Sequence, residues 1–386
     1  MKILTVDIGT GTQDIYLYDS KLDIENGFKL ILPSPTMIFH RRIKSATRSR
    51  SPILLTGHQM GGGPSAWAAE AHARAGLLVY ATEDAARTLD DELKKVEEAG
   101  IKIISEAEAR HLPADVLHLD LRDFDFEAIS ETFSRFGISL GDLDAAVVAV
   151  FDHGAAPSGM SDRKFRFDYL DQRIREKNTL SAFAYLSSEI PFSMSRLRAV
   201  ANSVAGFDFP LIVMDTAPAA ILGATFDPVV AKRNRKLIAN IGNFHTLAFR
   251  LGKNGIEGLF EHHTGEINLP KLERLLLALA NGSLKNEDVF DDMRHGALIY
   301  GKESFKFGND EFDVVVTGPR RSMFLGKGEE ISTLKPYFAA PFGDMMIAGC
   351  FGMLAAAAAV MPDLAETIYG SMRSGIGRGI TPWDVE

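Results

Sequence analysis

The sequence predicts an α/β protein of two lobes, and three observations carry that prediction. The first is Ile3-Leu-Thr-Val-Asp7-Ile-Gly9-Thr10-Gly11-Thr12-Gln-Asp14-Ile-Tyr-Leu-Tyr18, an apolar strand that enters a Gly/Thr turn and leaves as a second, alternating strand. The second is its echo at Lys236-Leu-Ile-Ala-Asn240-Ile-Gly242-Asn243-Phe-His245-Thr246-Leu-Ala-Phe-Arg250-Leu251. The third is the alternation of strand and helix patterns over residues 52–150, which implies a largely parallel sheet with helices on both faces.

At 386 residues the chain is too long for one small core, and two lobes of ordinary domain size follow. Apolar residues at 46% and charged residues at 24% are those of a soluble globular protein. The net charge of −9 argues against nucleic acid or an anionic membrane as the main partner. Lys2 is followed at once by a strand that ends in Asp7, so no signal peptide is expected. The longest apolar run, residues 345–360, is shorter than the ~20 residues that span a bilayer and reads as a buried helix. The expected location is the cytoplasm. Cys350 is the only cysteine, which excludes an internal disulfide, a Cys-ligated zinc site and an iron–sulfur cluster held by this chain alone.

The remaining elements follow in order. Residues 28–32 read as a strand closed by Pro33 and Pro35, and 40–50 as a basic, solvated loop, with a phosphate-facing patch the minority reading. A short strand at 53–56 enters the tight loop 57–64, and Ser65 caps a helix to about 75. Residues 77–80 are a strand, 84–99 one charged amphipathic helix stopped by Gly100, and 101–104 another strand. Residues 145–151 form an apolar strand ending at Asp152-His153-Gly154. Residues 211–214 are a buried strand, followed by a helix to about 226 with Pro218 in its first turn. His262-His263, beside Glu261 and Glu266, read as a solvated turn, with metal binding the minority alternative. The strand at 312–317 ends in Gly318-Pro319-Arg320.

The hairpin tips carry the candidate chemistry. Gly9, Thr10, Gly11 and Thr12 offer backbone N–H and hydroxyl donors that can wrap phosphates, while Asp7 faces their magnesium ion. The bland alternatives are a plain Gly-rich hairpin and an Asx turn at Asp7. The echo at Gly242 and Asn243 favours the phosphate reading.

In this order and spacing the pieces resemble the sugar kinase/heat-shock chaperone/actin (ASKHA) superfamily. Residues 4–18 look like its first phosphate loop, 211–224 its first connecting segment and 237–251 its second phosphate loop. Residues 312–321 look like its adenosine motif, and 343–358, with Gly349 and Gly352, its second connecting helix. The resemblance implies an actin-like ATPase fold of duplicated ribonuclease H-like lobes around a nucleotide cleft. Lobe I is then 1–214 plus 343–386, and lobe II is 215–342. It implies ATP and Mg2+ as cofactors, Asp7 and Asn240 toward the metal, Gly242 and Asn243 on phosphates, and Gly318 and Arg320 by the adenosine. Two departures stand out: Asn240 replaces an acid, and Gly318-Pro319 replaces a Gly-Gly pair.

Asp215 begins a run similar to one in a sugar-kinase branch, where the acid takes the proton of the attacking hydroxyl. In the chaperone branch the equivalent acid orients water, and a helix N-cap is the structural alternative. Gly57-His58-Gln59-Met60 with Gly61 and Gly62 resembles the acceptor-side strand end of some sugar kinases; an anion-binding loop or a simple turn are the other readings. Asp152 and His153 form an acid–base or metal pair, or a hydrogen-bonded turn.

The expected function is a phosphotransferase acting on a small metabolite, with Asp215 or Asp152 as base. A nucleotide-dependent regulatory ATPase acting on a partner protein is the first alternative. A non-catalytic nucleotide binder is the second, motivated by Asn240. Within the superfamily the chain most resembles a bacterial and archaeal family labelled "putative pyruvate formate-lyase activating enzyme". The resemblance rests on Asp7-Ile-Gly-Thr-Gly-Thr-Gln-Asp14, Met60-Gly-Gly-Gly-Pro64 and Asp152-His-Gly-Ala-Ala-Pro157 with Ser161-Asp-Arg163. That label implies radical chemistry on a cluster held by Cys-x-x-x-Cys-x-x-Cys. With one cysteine, radical activation is not expected.

Overall fold

A computed structural model describes residues 1–293, 295–301, 303–305, 307, 311–326, 332–373 and 381–384. Its strands, in chain order, are β1 (Lys2–Ile8), β2 (Thr12–Asp19), β3 (Phe28–Pro33), β4 (Ile53–Gly57), β5 (Val79–Ala81), β6 (Lys102–Ile103), β7 (Leu117–Leu121) and β8 (Ala145–Val150). They continue with β9 (Ala184–Leu186), β10 (Leu211–Asp215), β11 (Lys236–Ile241), β12 (His245–Gly252), β13 (Gly255–His263), β14 (Gly296–Ile299), β15 (Val314–Thr317) and β16 (Pro336–Phe338).

Two six-stranded sheets run β3-β2-β1-β8-β10-β9 and β14-β13-β12-β11-β15-β16. Each is built around three antiparallel strands from consecutive hairpins, to which two parallel strands are added: β8 and β10 in the first, β15 and β16 in the second. The two sheets therefore repeat one plan. β8 reads Ala-Ala-Val-Val-Ala-Val and is buried at every residue, as a strand flanked on both edges and covered on both faces must be. A third, all-parallel sheet, β6-β5-β4-β7, is spliced in between β3 and β8. It has its own core, including Phe39, Ile53, Leu55, Val79 and Leu119.

The helices Thr216–Ala224 and Ala348–Val360 cross between the two six-stranded sheets. Ala219 belongs to the core of the first sheet, while Ala217, Ile221 and Ala224 belong to that of the second. The backbones approach so closely that a Cβ at Gly223 would strike the Ala348 carbonyl, and one at Gly352 the Ala219 carbonyl. The apolar run at 345–360 is thus the buried helix expected of it. Among the described residues no helix is long and apolar enough to cross a membrane.

Four local expectations are corrected. Residues 40–49 lie in a helix, Pro35–Ser49, with Arg50 as its C-cap, because Ser34 caps its start, Pro35 begins it, and Phe39, Ile43 and Ala46 bury one helical stripe under the basic face. Residues 84–99 hold two short helices, Glu83–Ala86 and Leu93–Glu98, with an Asp-rich turn between them. The helix Pro64–Arg74 takes Gly63 as its N-cap, and the Ser65 hydroxyl instead donates to the carbonyls of Gly61 and Gly62. Glu261 and His262 are buried inside β13, because an ion pair and a hydrogen bond satisfy them there. In the segment expected to return to lobe I, residues 374–380 and 385–386 lie outside the described residues. In 215–342 the same is true of 294, 302, 306, 308–310 and 327–331.

Candidate active site

Between the two six-stranded sheets lies a cavity of about 720 Å³ whose wall includes Asp7, Thr10, Thr12, Asp14, Asn240 and Gly242. The hairpin tips face each other there. Gly9 N–H donates to the Thr12 carbonyl at 2.9 Å, and Gly242 N–H donates to the His245 carbonyl at 3.0 Å, so one four-residue closure is used twice. A Cβ at Gly11 would run into the Asn243 amide, which puts the two tips in contact. Phe244, next along the second tip, lies 5.8 Å from the Trp67 ring.

Asp7, next to last in β1, pairs directly with Asp14 across the hairpin. Its Oδ1 accepts from the Thr216 hydroxyl at 2.6 Å. The other oxygen occupies the space that a Cβ at Gly349 would fill, at the start of the helix Ala348–Val360. Burial pushes the Asp7 carboxyl up to about 6, against the Thr216 hydrogen bond. Asp14 is pushed up to about 8, first by burial and then by the charge of Asp7. Asp14 Oδ1 has no hydrogen-bond partner among the described residues. Two facing carboxylates with one bare oxygen suit a divalent cation or a shared proton.

On the second hairpin, Asn240 lies beside Thr317 of β15. Gly318 follows with φ +96, and a Cβ there would meet the Asn240 amide and the Ile241 carbonyl. Arg320 is exposed and donates its backbone N–H to Ile241.

The loop before the helix Pro64–Arg74 is anchored by Asp123, just after β7, which Arg196 of the helix Ser195–Ser203 holds in turn. Asp123 accepts from Gly61 N–H at 3.1 Å and from Arg196 at 2.7 and 2.9 Å. Gln59 donates to Asp91 at 3.1 Å. Gln59, Gly61, Gly62 and His153 reach the cavity wall; His58, Gly11, Asp215 and Arg320 are not among its described residues.

Both candidate bases are already engaged. Asp152 accepts from Gly154 N–H at 2.8 Å and Leu197 N–H at 2.9 Å, and so caps the helix Ser195–Ser203. Burial lifts its carboxyl to about 6, opposed by those two backbone donors. Asp215 accepts from Ala217 N–H at 2.9 Å, the N-cap role, and from Arg166 at 2.5 and 3.2 Å. Arg166 also donates to Glu261 at 2.7 and 2.8 Å and to the Asp152 carbonyl at 2.7 Å, which uses all five of its N–H bonds. Its guanidinium lies 3.9 Å from the centre of the Phe151 ring.

Sequence reasoning missed Asp14 as a partner of Asp7, the Arg166–Glu261 pair, Arg196–Asp123, and a group of imidazoles. His245, His263 and His295 each present a nitrogen within 4.8 Å of the others. Period-2 placement in paired strands was the available cue for Asp14; nothing local marks the others. Burial drives His153 and His245 well below the usual imidazole range and lowers His295 and His263, so these rings are neutral. Cys350 is buried, donates to the Asp14 carbonyl at 3.1 Å and is held well above the usual thiol range by burial.

Residues 60–323 match the family described as "Putative pyruvate format-lyase activating enzyme (DUF1786)". The chain belongs to that family. Comparison with curated proteins finds no match. Among solved structures, a ROK family transcriptional regulator, a homolog of the E. coli MLC protein, is similar at 7% identity and a TM-score of 0.25, over 66% of this chain and 37% of that one. An exopolyphosphatase-like protein is similar at 11% and 0.23, over 82% of this chain and 65% of that one. A nucleotide-free acetone carboxylase is similar at 11% and 0.21, over 67% of this chain and 45% of that one. The chain thus spans less than two thirds of the length of each, and at these scores the likenesses carry nothing about activity.

Proposed function

We propose that the chain binds magnesium–ATP between its two hairpin tips and passes a phosphoryl group to a small acceptor. The observation that carries this reading is the repeated tip, Gly9 to Thr12 and Gly242 to His245, closed by the same hydrogen bond and facing one cavity. Tips of this kind expose backbone N–H groups to phosphate oxygens. A volume of about 720 Å³ lies within the ordinary range for small-molecule sites.

The residues fit the cation. Asp7 and Asp14 would hold it directly or through water, Asn240 would offer an amide oxygen from the other side, and the bare Oδ1 of Asp14 gains a partner. When bound, the ion neutralises charge on the phosphate oxygens. The acceptor's place is the wall formed by Gln59, Gly61, Gly62 and His153. Asp215 is the acid assigned to orient the acceptor hydroxyl, and for that it must leave Arg166. Calorimetry with ATP and Mg2+ tests the first half: absence of magnesium-dependent binding at millimolar nucleotide overturns it. Asp215→Asn tests the second, because unchanged turnover removes Asp215 as base.

The five-bond engagement of Arg166 favours a second reading, a nucleotide-dependent switch acting on a partner protein. Here Arg166 ties Asp215 of the first sheet to Glu261 of the second, and nucleotide would act by changing that tie. Nucleotide hydrolysis that no small acceptor accelerates would favour this reading.

A further inference from the structure

We propose that His245, His263 and His295 form a binding site for a divalent late first-row transition ion of the zinc class, with one coordination position open to the cleft. Strand pairing builds the site. His245 opens β12 and stands directly across from His263 at the end of β13, while His295 immediately precedes β14, which pairs with β13 on its other edge. The ring centres of His263 and His295 are 4.5 Å apart, those of His245 and His295 5.1 Å, and those of His245 and His263 5.3 Å.

The ring nitrogens point to a ligand. His295 is completely buried, yet neither of its nitrogens has a hydrogen-bond partner among the described residues. A buried imidazole rarely forgoes both bonds, since each orphaned polar atom carries an uncompensated desolvation cost. His153, from the loop after β8, adds a third such atom, Nε2, with its ring 5.9 Å from His245 and 6.4 Å from His295. One ring nitrogen of His263 bonds the backbone of Phe244, which orients the ring and leaves Nε2 as its ligating atom; Arg163, which donates to Nε2 at 3.2 Å, has to swing aside when the ion binds.

Coordination chemistry narrows the ion. A tetrahedral ion about 2.0–2.1 Å from each nitrogen needs its ligands about 3.3 Å apart. Nitrogens within 4.8 Å of one another reach that by small side-chain rotations. Neutral imidazoles without thiolate or carboxylate select zinc-class ions over magnesium or calcium, and three protein ligands leave a position free. That position faces the cleft, because His153, His245 and His263 line the cavity while His295 sits behind them. The surrounding charge is balanced: Arg166 between Asp215 and Glu261 leaves one negative charge, and Arg163 offsets it.

The test offers the metal alone, so its result is separate from that of the nucleotide reading. Zn2+ titrated into chelator-treated full-length protein is expected to bind as one equivalent at micromolar concentration or below. His263→Gln and His295→Gln each weaken it more than about 100-fold, whereas His111→Gln, on the exposed surface, leaves it unchanged. Co2+ added to the unaltered protein gives a readout that needs no variant. Intense visible bands of a four- or five-coordinate ion support the site; the weak spectrum of the hydrated ion overturns it. Absence of stoichiometric Zn2+ binding, or binding that both His→Gln variants retain, also overturns it.

Discussion

Arg166 donates to both carboxylate oxygens of Asp215 while its other edge holds Glu261, so one buried guanidinium joins the end of β10 to the C-terminal part of β13, shortly before His263. All three side chains are out of solvent. Removing the cation leaves two carboxylates buried and unpaired. Arg166→Ala is therefore expected to cost about 3–5 kcal/mol of stability, measured by urea unfolding. A loss below about 1 kcal/mol would mean that the two carboxylates find other partners.

The acids of the first hairpin make stability depend on pH. Free aspartate titrates near 3.9, whereas Asp7 is held at about 6 and Asp14 at about 8. Folding raises both values, so their contribution is fully present below about pH 4 and is lost as pH climbs through about 6 and then about 8. Asp14→Asn removes the larger share. Relative to the unaltered protein, its melting temperature should be higher at pH 8.5 than at pH 5, when both are compared without magnesium. Scanning calorimetry at the two pH values checks the sign, and added Mg2+ should narrow the difference.

Close helix crossing gives a steric prediction. Gly352→Ala places a methyl group against the Ala219 carbonyl, and Gly349→Ala places one against the Asp7 carboxylate. Each should destabilise by about 1–3 kcal/mol, because the first collision is with backbone and the second with a buried carboxylate that the Thr216 hydroxyl holds. Only Gly349→Ala should also weaken magnesium-dependent nucleotide binding, because Asp7 is the group displaced. Paired unfolding and calorimetric titrations separate the two effects.

Trp67 is a built-in reporter. It is half-exposed, walls the cavity and touches Phe244 on the second tip. The chain has two tryptophans, and Trp383 is 82% exposed and away from that wall. In a Trp383→Phe background, ATP with Mg2+ should change Trp67 emission saturably, with the same affinity that calorimetry reads. An unchanged spectrum during measured binding would place the nucleotide away from the second tip.

The two hairpins are legible in the sequence because each writes its own turn: strand, Gly, polar residue, strand within sixteen residues. The buried helix at 348–360 is legible for the same local reason, an unbroken small-apolar composition. What escapes is set by distance along the chain. Arg166 and Glu261 look like two surface charges until β13 and the helix Asp162–Glu176 meet, 95 residues apart in sequence. The imidazoles of His245, His263 and His295 converge only through strand register, and no motif spacing encodes that. His40 to Arg50 misleads in the opposite way, since its charges are conspicuous and the apolar stripe beneath them is sparse.

The four-stranded sheet β6-β5-β4-β7 enters after β3 and leaves before β8, yet among the described residues it pairs with no strand of either six-stranded sheet. It closes on its own hydrophobic core and supplies Gln59 through Gly63 and Trp67 to one side of the cavity. One wall of the cavity thus rests on a module whose packing is its own, so a substitution in the core around Leu55 and Leu119 can reshape that wall while every strand pair around the hairpin tips stays as it is.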